Sequence, residues 1–281
     1  MKKLIINADD YGHSSGVSAG IREAYSHGVV SSTTAMMNMD HVEAELENVQ
    51  KSCPDLGLGV HLNVTTGKPI LPISQISTLV DENGIFHSDE YYILHLESIN
   101  PEHVALEWEA QIKKFISAAG KNPDHLDAHH HLAFFSKDLF RIYLAYAEKY
   151  SCAIRFAGGK TGADLISDFS EKHQAETKRG IAEMSSKSTV WHPDYFIRSF
   201  YGNNSTKEFL LKVLDNLEPG VTEMMCHPGY CDATLKTMSV YTVERERELR
   251  IFMDPDIRSF MENHQIELTD FKKESRYSKT C

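Results

Sequence analysis

No apolar run in these 281 residues approaches the length of a membrane span, and positive charge is scarce, with 29 lysines and arginines facing 40 aspartates and glutamates. A net charge of −11 argues against nucleic acid or an anionic membrane face as partner, because polyanion binding draws on clustered cations. Cys-x-x-Cys is absent. The five cysteines, Cys53, Cys152, Cys226, Cys231 and Cys281, are odd in number and read as reduced thiols. Cys226 and Cys231 lie near His227, but their spacing fits no common zinc pattern. Met1-Lys2-Lys3-Leu4-Ile5-Ile6 has the look of a leader's opening, yet its apolar run stops at Asn7 and Asp9, too soon for one. A cytoplasmic location is the expectation. Low-complexity linkers and internal repeats are missing. So is Gly-x-Gly-x-x-Gly after the first strand, which weakens the case for a nucleotide-binding Rossmann domain.

What is present is an alternation of short β-type runs with helical patterns, the α/β signature. Strands are expected at 3–8, 30–38, 57–64, 124–131, 152–157, 189–191, 221–227 and 265–269. A helix capped by Ser14 or Ser15 carries Val17, Ile21 and Ala24 on one face. The strongest helix runs from Pro101 to Ala119, with Trp108, Ile112, Phe115 and Ala119 at helical spacing and Gly120 closing it. Further helices are expected near 137–149, 206–217 and 242–262. Seven or eight such units in a chain of this length suit a single-domain, TIM-like (β/α) barrel over 1–270 with a polar tail at 271–281; a doubly wound open sheet is the alternative.

Four strand ends carry unusual residues: Asp9-Asp10, His61, the run His129-His130-His131, and His227 before Pro228. Barrel strands bring their C-terminal ends to one mouth, so residues distant in sequence meet there. Strand alternation puts Asp127, His129 and His131 on one face of their strand, and likewise lets His61 share a face with Asn63, and Glu223 with His227. The same alternation would send Asp9 and Asp10 to opposite sides unless the strand ends and the backbone turns, which Gly12 permits. One carboxylate and two imidazoles make a three-ligand set with open positions. Such a set suits Zn²⁺, Fe²⁺, Co²⁺ or Mn²⁺ better than Mg²⁺. A cation also offsets the repulsion between neighbouring carboxylates, leaving one free as general base while a histidine serves as general acid.

Asn7-Ala8-Asp9-Asp10-Tyr11-Gly12, Gly59-Val60-His61, Leu126 to His131, and Met225-Cys226-His227-Pro228 occur in the order seen in YdjC-like carbohydrate deacetylases, which include the chitooligosaccharide deacetylases. The resemblance covers residues 3 to about 232. It implies a distorted (β/α)7–8 barrel that hydrolyses N-acetyl groups of short chitin fragments. It also implies Asp10, His61 and His129 as metal ligands, Asp9 as base, His227 as acid, and Arg155 as the arginine that steadies the base. The family is usually described with magnesium, whereas the donor chemistry favours a zinc-like ion. The oligosaccharide needs flat apolar surfaces, and Phe200, Tyr201 and Tyr230 are candidates to supply them, with Asn63 and His131 as polar contacts. Tyr11 departs from the phenylalanine of many members. A homodimer is expected by analogy alone. Competing readings are another metal-dependent amidohydrolase or phosphoesterase, which often uses two metals, and a non-catalytic sugar-binding protein.

Overall fold

The computed structural model describes residues 1–157 and 165–278; Cys281 and the stretch 158–164 lie outside them. The strands are β1 (Lys2–Tyr11), β2 (Ser32–Ala35), β3 (Gly57–Leu62), β4 (His125–Ala128), β5 (Ala153–Ile154), β6 (Tyr195–Ile197), β7 (Gly220–Cys226) and β8 (Ile266–Leu268). They form one parallel sheet in the order β5-β4-β3-β2-β1-β7-β6, with β8 beside the start of β1. The sheet curls into a half-barrel, the distorted TIM-like arrangement expected. Among the described residues, one backbone hydrogen bond links its two ends, from Ile154 N–H to the Trp191 carbonyl at 3.1 Å.

The helices are α1 (Ser15–Ser26), α2 (Val42–Ser52), α3 (Asp89–His95), α4 (Pro101–Ala119), α5 (Lys137–Tyr150), α6 (Glu171–Lys187), α7 (Lys207–Asp215), α8 (Ala233–Met238), α9 (Val243–Phe252), α10 (Pro255–Asn263) and α11 (Phe271–Ser278). α4 shows how sequence makes them. Asn100 caps its start through the Glu102 N–H, Pro101 occupies the first turn where no N–H is needed, and Gly120 ends it at φ +67°. Trp108, Ile112 and Phe115 are fully buried, each contributing about 1.5–3 kcal/mol of burial. No helix among the described residues is long and apolar enough to cross a membrane.

Several boundaries differ from expectation. The run 30–38 yields only Ser32–Ala35 as strand. The run 124–131 stops at Ala128, because His130 and His131 adopt left-handed backbone, φ +52° and +56°. The segment 189–191 is not a strand; the strand comes later, at Tyr195–Ile197. The helix expected over 242–262 breaks into α9 and α10, since Pro255 lacks an N–H and Asp254 caps a new start. The expected polar tail is instead α11 as far as Ser278. Phe271 is buried with Ile5 and Ala153 and stacks on the His125 ring at 3.8 Å, and Glu274 pairs with Lys3 at 2.9 Å.

Candidate active site

The two aspartates reach the mouth together because β1 does not stay regular. Its register with β2 shifts between Ala8 and Tyr11, and Asp10 takes a left-handed φ of +70°. Such a backbone is uncommon outside glycine and marks a functional constraint. It turns Asp10 Oδ1 to within 3.3 Å of both His61 Nε2 and His129 Nδ1, while those two nitrogens face each other at 3.0 Å. Asp10 Oδ1 is buried and has no hydrogen-bond partner. A carboxylate oxygen left bare beside two imidazole nitrogens fits a divalent cation, and the three ligand atoms lie within 4.8 Å of one another. Behind His61, Asp127 accepts from Nδ1 at 2.6 Å and Thr34 donates to Asp127 at 3.0 Å, the outer support that orients a ligating imidazole. With no cation present, burial alone would lower the His61 pKa, but Asp127 and Asp10 outweigh it and push it up to about 10. Burial takes His129 down to about 4, against the pull of Asp10.

Asp9 is held differently. Arg155 donates to both of its oxygens, at 2.6 and 2.7 Å, and Asn7 Nδ2 adds a bond at 2.9 Å. Burial would raise the Asp9 pKa, but the guanidinium overrides it and holds the carboxyl well below the usual range. Arg155 is 1% exposed, so its guanidinium belongs to the interior and not to the surface. It reaches Glu223 through Nε at 2.7 Å and Asp127 through Nη1 at 3.0 Å, so one cation serves three buried carboxylates. Glu223, pushed up to about 8 by burial despite that contact, keeps one oxygen unpaired.

Asp10 has its own arginine, which the sequence reading missed. Arg245 on α9 donates through Nη2 to Asp10 Oδ2 at 2.5 Å and through Nε to the Tyr241 carbonyl at 3.1 Å. Burial raises the Asp10 pKa, but Arg245 and then His129 drive it well below the usual range. The segment "VERERELR" looks like a solvated charged face. A signal was nonetheless there: Arg245, Glu248, Leu249 and Phe252 follow the i, i+3, i+4, i+7 spacing of a buried stripe, and all four are buried. Glu248 accepts from the His227 backbone N–H at 2.5 Å and from the Tyr241 hydroxyl, and burial pushes its pKa up to about 7.

Asp9, Asp10, His61, His129 and Arg245 line one cleft of about 1320 Å³. His227 sits in it with Nδ1 unpaired, edge-on to Tyr201 and Tyr241 at 5.4 and 5.6 Å, and burial takes it down to about 4. Tyr201 lies flat on Tyr241 at 4.3 Å and lines the cleft, as does His131, which sits edge-on to Phe196. The other candidate substrate contacts are placed elsewhere. Asn63 is fully buried and spends its amide on Asn38 and on the turn at Thr65 and Thr66, because β3 ends at Leu62 and alternation no longer applies. Phe200 is core, packed on Phe252 at 5.2 Å. Tyr230 points to Glu23 of α1, outside the cleft lining.

A half-barrel with a buried carboxylate–imidazole cluster at its mouth and a second carboxylate held apart from it defines a class, that of hydrolases built on a deformed (β/α) barrel. The chain matches the family of YdjC-like proteins over residues 3–263, and it belongs to that family. Its relatives include a carbohydrate deacetylase of Thermoanaerobacter pseudethanolicus, 36% identical over 96% of this chain and 98% of that one. A chitooligosaccharide deacetylase of Yersinia enterocolitica is 32% identical over 93% and 94%. Among solved structures, an Enterococcus faecalis V583 protein provisionally called a cellobiose-phosphate cleavage protein superposes with a TM-score of 0.85 at 35% identity, covering 97% of this chain and 98% of that one.

Proposed function

We propose that this chain is a divalent-metal-dependent carbohydrate N-deacetylase that removes acetyl groups from N-acetylglucosamine units of short chitooligosaccharides and releases acetate. The observation that carries this reading is the division of the carboxylate pair. Asp10 presents a bare oxygen to His61 and His129, while Asp9 stays outside that set, ionised by Arg155. The relatives named as carbohydrate and chitooligosaccharide deacetylases support the substrate class.

Asp10, His61 and His129 would hold the cation, and two imidazoles with one carboxylate favour a zinc-like ion over magnesium. When bound, such an ion polarises an acetamide carbonyl and acidifies water. Asp9, ionised throughout the working pH range, accepts the proton of the attacking water. So low a pKa makes it a weak base, suited only to a proton already made acidic. His227 delivers a proton to the departing sugar amine. With its pKa lowered to about 4 it stores none at neutral pH, so the proton that Asp9 takes from water must pass to His227 before it reaches the amine. Tyr201, backed by Tyr241, offers an apolar face for a sugar ring beside His227.

A two-metal phosphoesterase is not favoured. The second cluster, Asp9, His61 and Asp127, already has its oxygens on Arg155 and on His61 Nδ1. The test is acetate release from diacetylchitobiose, with and without a 6-phosphate, by metal-stripped protein resupplied with Zn²⁺, Co²⁺, Mn²⁺ or Mg²⁺. Release that needs one metal equivalent supports the reading; no release with any metal overturns it.

A further inference from the structure

We infer that Arg245 is a positioning residue for the metal centre: by occupying Oδ2 of Asp10 it confines that carboxylate to one-oxygen ligation through Oδ1 and keeps a ligand position open. This rests on the metal-dependent reading above.

The geometry is specific. Arg245 Nη2 lies 2.5 Å from Asp10 Oδ2, whereas Oδ1 is unpaired and faces the two imidazoles. The arginine cannot swing away freely. Its side chain is 3% exposed, its Nε is bonded to the Tyr241 carbonyl, and its own carbonyl accepts from Gly229 N–H at 3.2 Å. Asp10 is fixed from its own side by the left-handed backbone at φ +70°. Charge-assisted bonds of this length between buried groups are persistent.

A carboxylate next to a cation can bind through one oxygen or two. Asp10 with both oxygens free would give four donor atoms from three residues, filling a position that water or a carbonyl oxygen needs. The guanidinium also places a positive charge beside a ligand, which weakens attraction for a dication. Supporting carboxylates such as Asp127 do the reverse by raising ligand basicity. The centre thus has supports of opposite sign, Asp127 behind His61 and Arg245 behind Asp10. The first tightens the hold on the metal; the second loosens it and keeps it open. The Gly229 contact further ties Asp10's support to the turn that follows His227.

The experiment compares metal-stripped wild type, Arg245→Met and Arg245→Gln, each checked for fold by circular dichroism, by calorimetric Co²⁺ titration and visible absorption of the loaded protein. Arg245→Met is expected to bind Co²⁺ about tenfold more tightly, the scale of outer-support effects on metal sites. It should also show the weaker d–d bands of a higher coordination number. Arg245→Gln removes the charge but can still donate to Oδ2, so it should bind more tightly with a wild-type spectrum; this variant carries the test if the methionine variant fails to fold. Unchanged or weaker Co²⁺ binding in the variants, with a wild-type spectrum throughout, overturns the inference while leaving the metal-dependent reading intact. A wild-type protein that takes up no Co²⁺ at all overturns both.

Discussion

Two arginines serve two adjacent aspartates, one from the sheet and one from a helix, and they do it in different ways. Arg155 follows a strand of the sheet, is fully engaged, and ties Asp9, Asp127 and Glu223 together. Arg245 rises from a helix, makes one ion pair, and leaves Nη1 without a partner. The difference is between a cation that the interior cannot lose and one that adjusts a single neighbour. Charge balance at a buried site is therefore not one quantity but two, the cost of burial and the tuning of function.

The largest expected effect separates these roles. Arg155→Met strands three carboxylates in the interior, and loss of one partner from a buried ion cluster costs about 3–5 kcal/mol. Urea denaturation should show a collapse of stability, whereas Arg245→Met should lose clearly less; equal losses would erase the distinction. Next, Asp9→Asn should lower acetate release about 10²–10⁴-fold, the range of a general base, while leaving bound metal unchanged. His129→Ala should strip the metal, read by elemental analysis of the dialysed protein.

A smaller effect concerns pH. The folded-state pKa of His61, about 10, lies above its ordinary 6.5. In metal-free protein its stabilising contribution is therefore complete below pH 6.5 and lost as pH rises through 10. Metal uptake must displace that proton, so apparent affinity should rise about tenfold per pH unit below pH 10. Titrations in buffers of different ionisation enthalpy should register about one proton released. Smallest of all is Arg245→Lys, which keeps the charge and one donor. It should lose less stability than Arg245→Met in the same urea titration, and an equal loss would mean that the planar fork matters on this side too.

Much of the site was legible because apolar strands ending in carboxylates or imidazoles are conspicuous. Asp9, Asp10, His61 and His227 all sit where an otherwise buried strand meets the mouth. Periodicity failed where strands stopped. Asn63 lies one residue past β3, and His130 and His131 are both in left-handed backbone, so neither Asn63 nor His131 obeys the alternation used to place them. Arg245 was hidden for another reason. Within "VERERELR" the charged residues look alike, and only the spacing of Arg245 and Glu248 with Leu249 and Phe252 marks the buried stripe; the partner of Arg245, 235 positions away, is visible only in the fold. Helix α11 was obscured by its lysines, because one aromatic at its start, Phe271, does the anchoring.

Among the described residues, a single backbone bond, from Ile154 to Trp191 in the segment leading into β6, joins the two ends of the curled sheet; it is worth about 1 kcal/mol net, far too little to keep a split ring shut. Arg155 is the very next residue, and its guanidinium spans the lumen from β5 to Glu223 on β7, with Asp9 on β1 and Asp127 on β4 gathered in between. It works as a cross-brace, lacing from inside a cylinder that backbone pairing leaves open. The aperture of the mouth and the aim of Asp9 are then one mechanical variable: the ring cannot spread without turning that carboxylate.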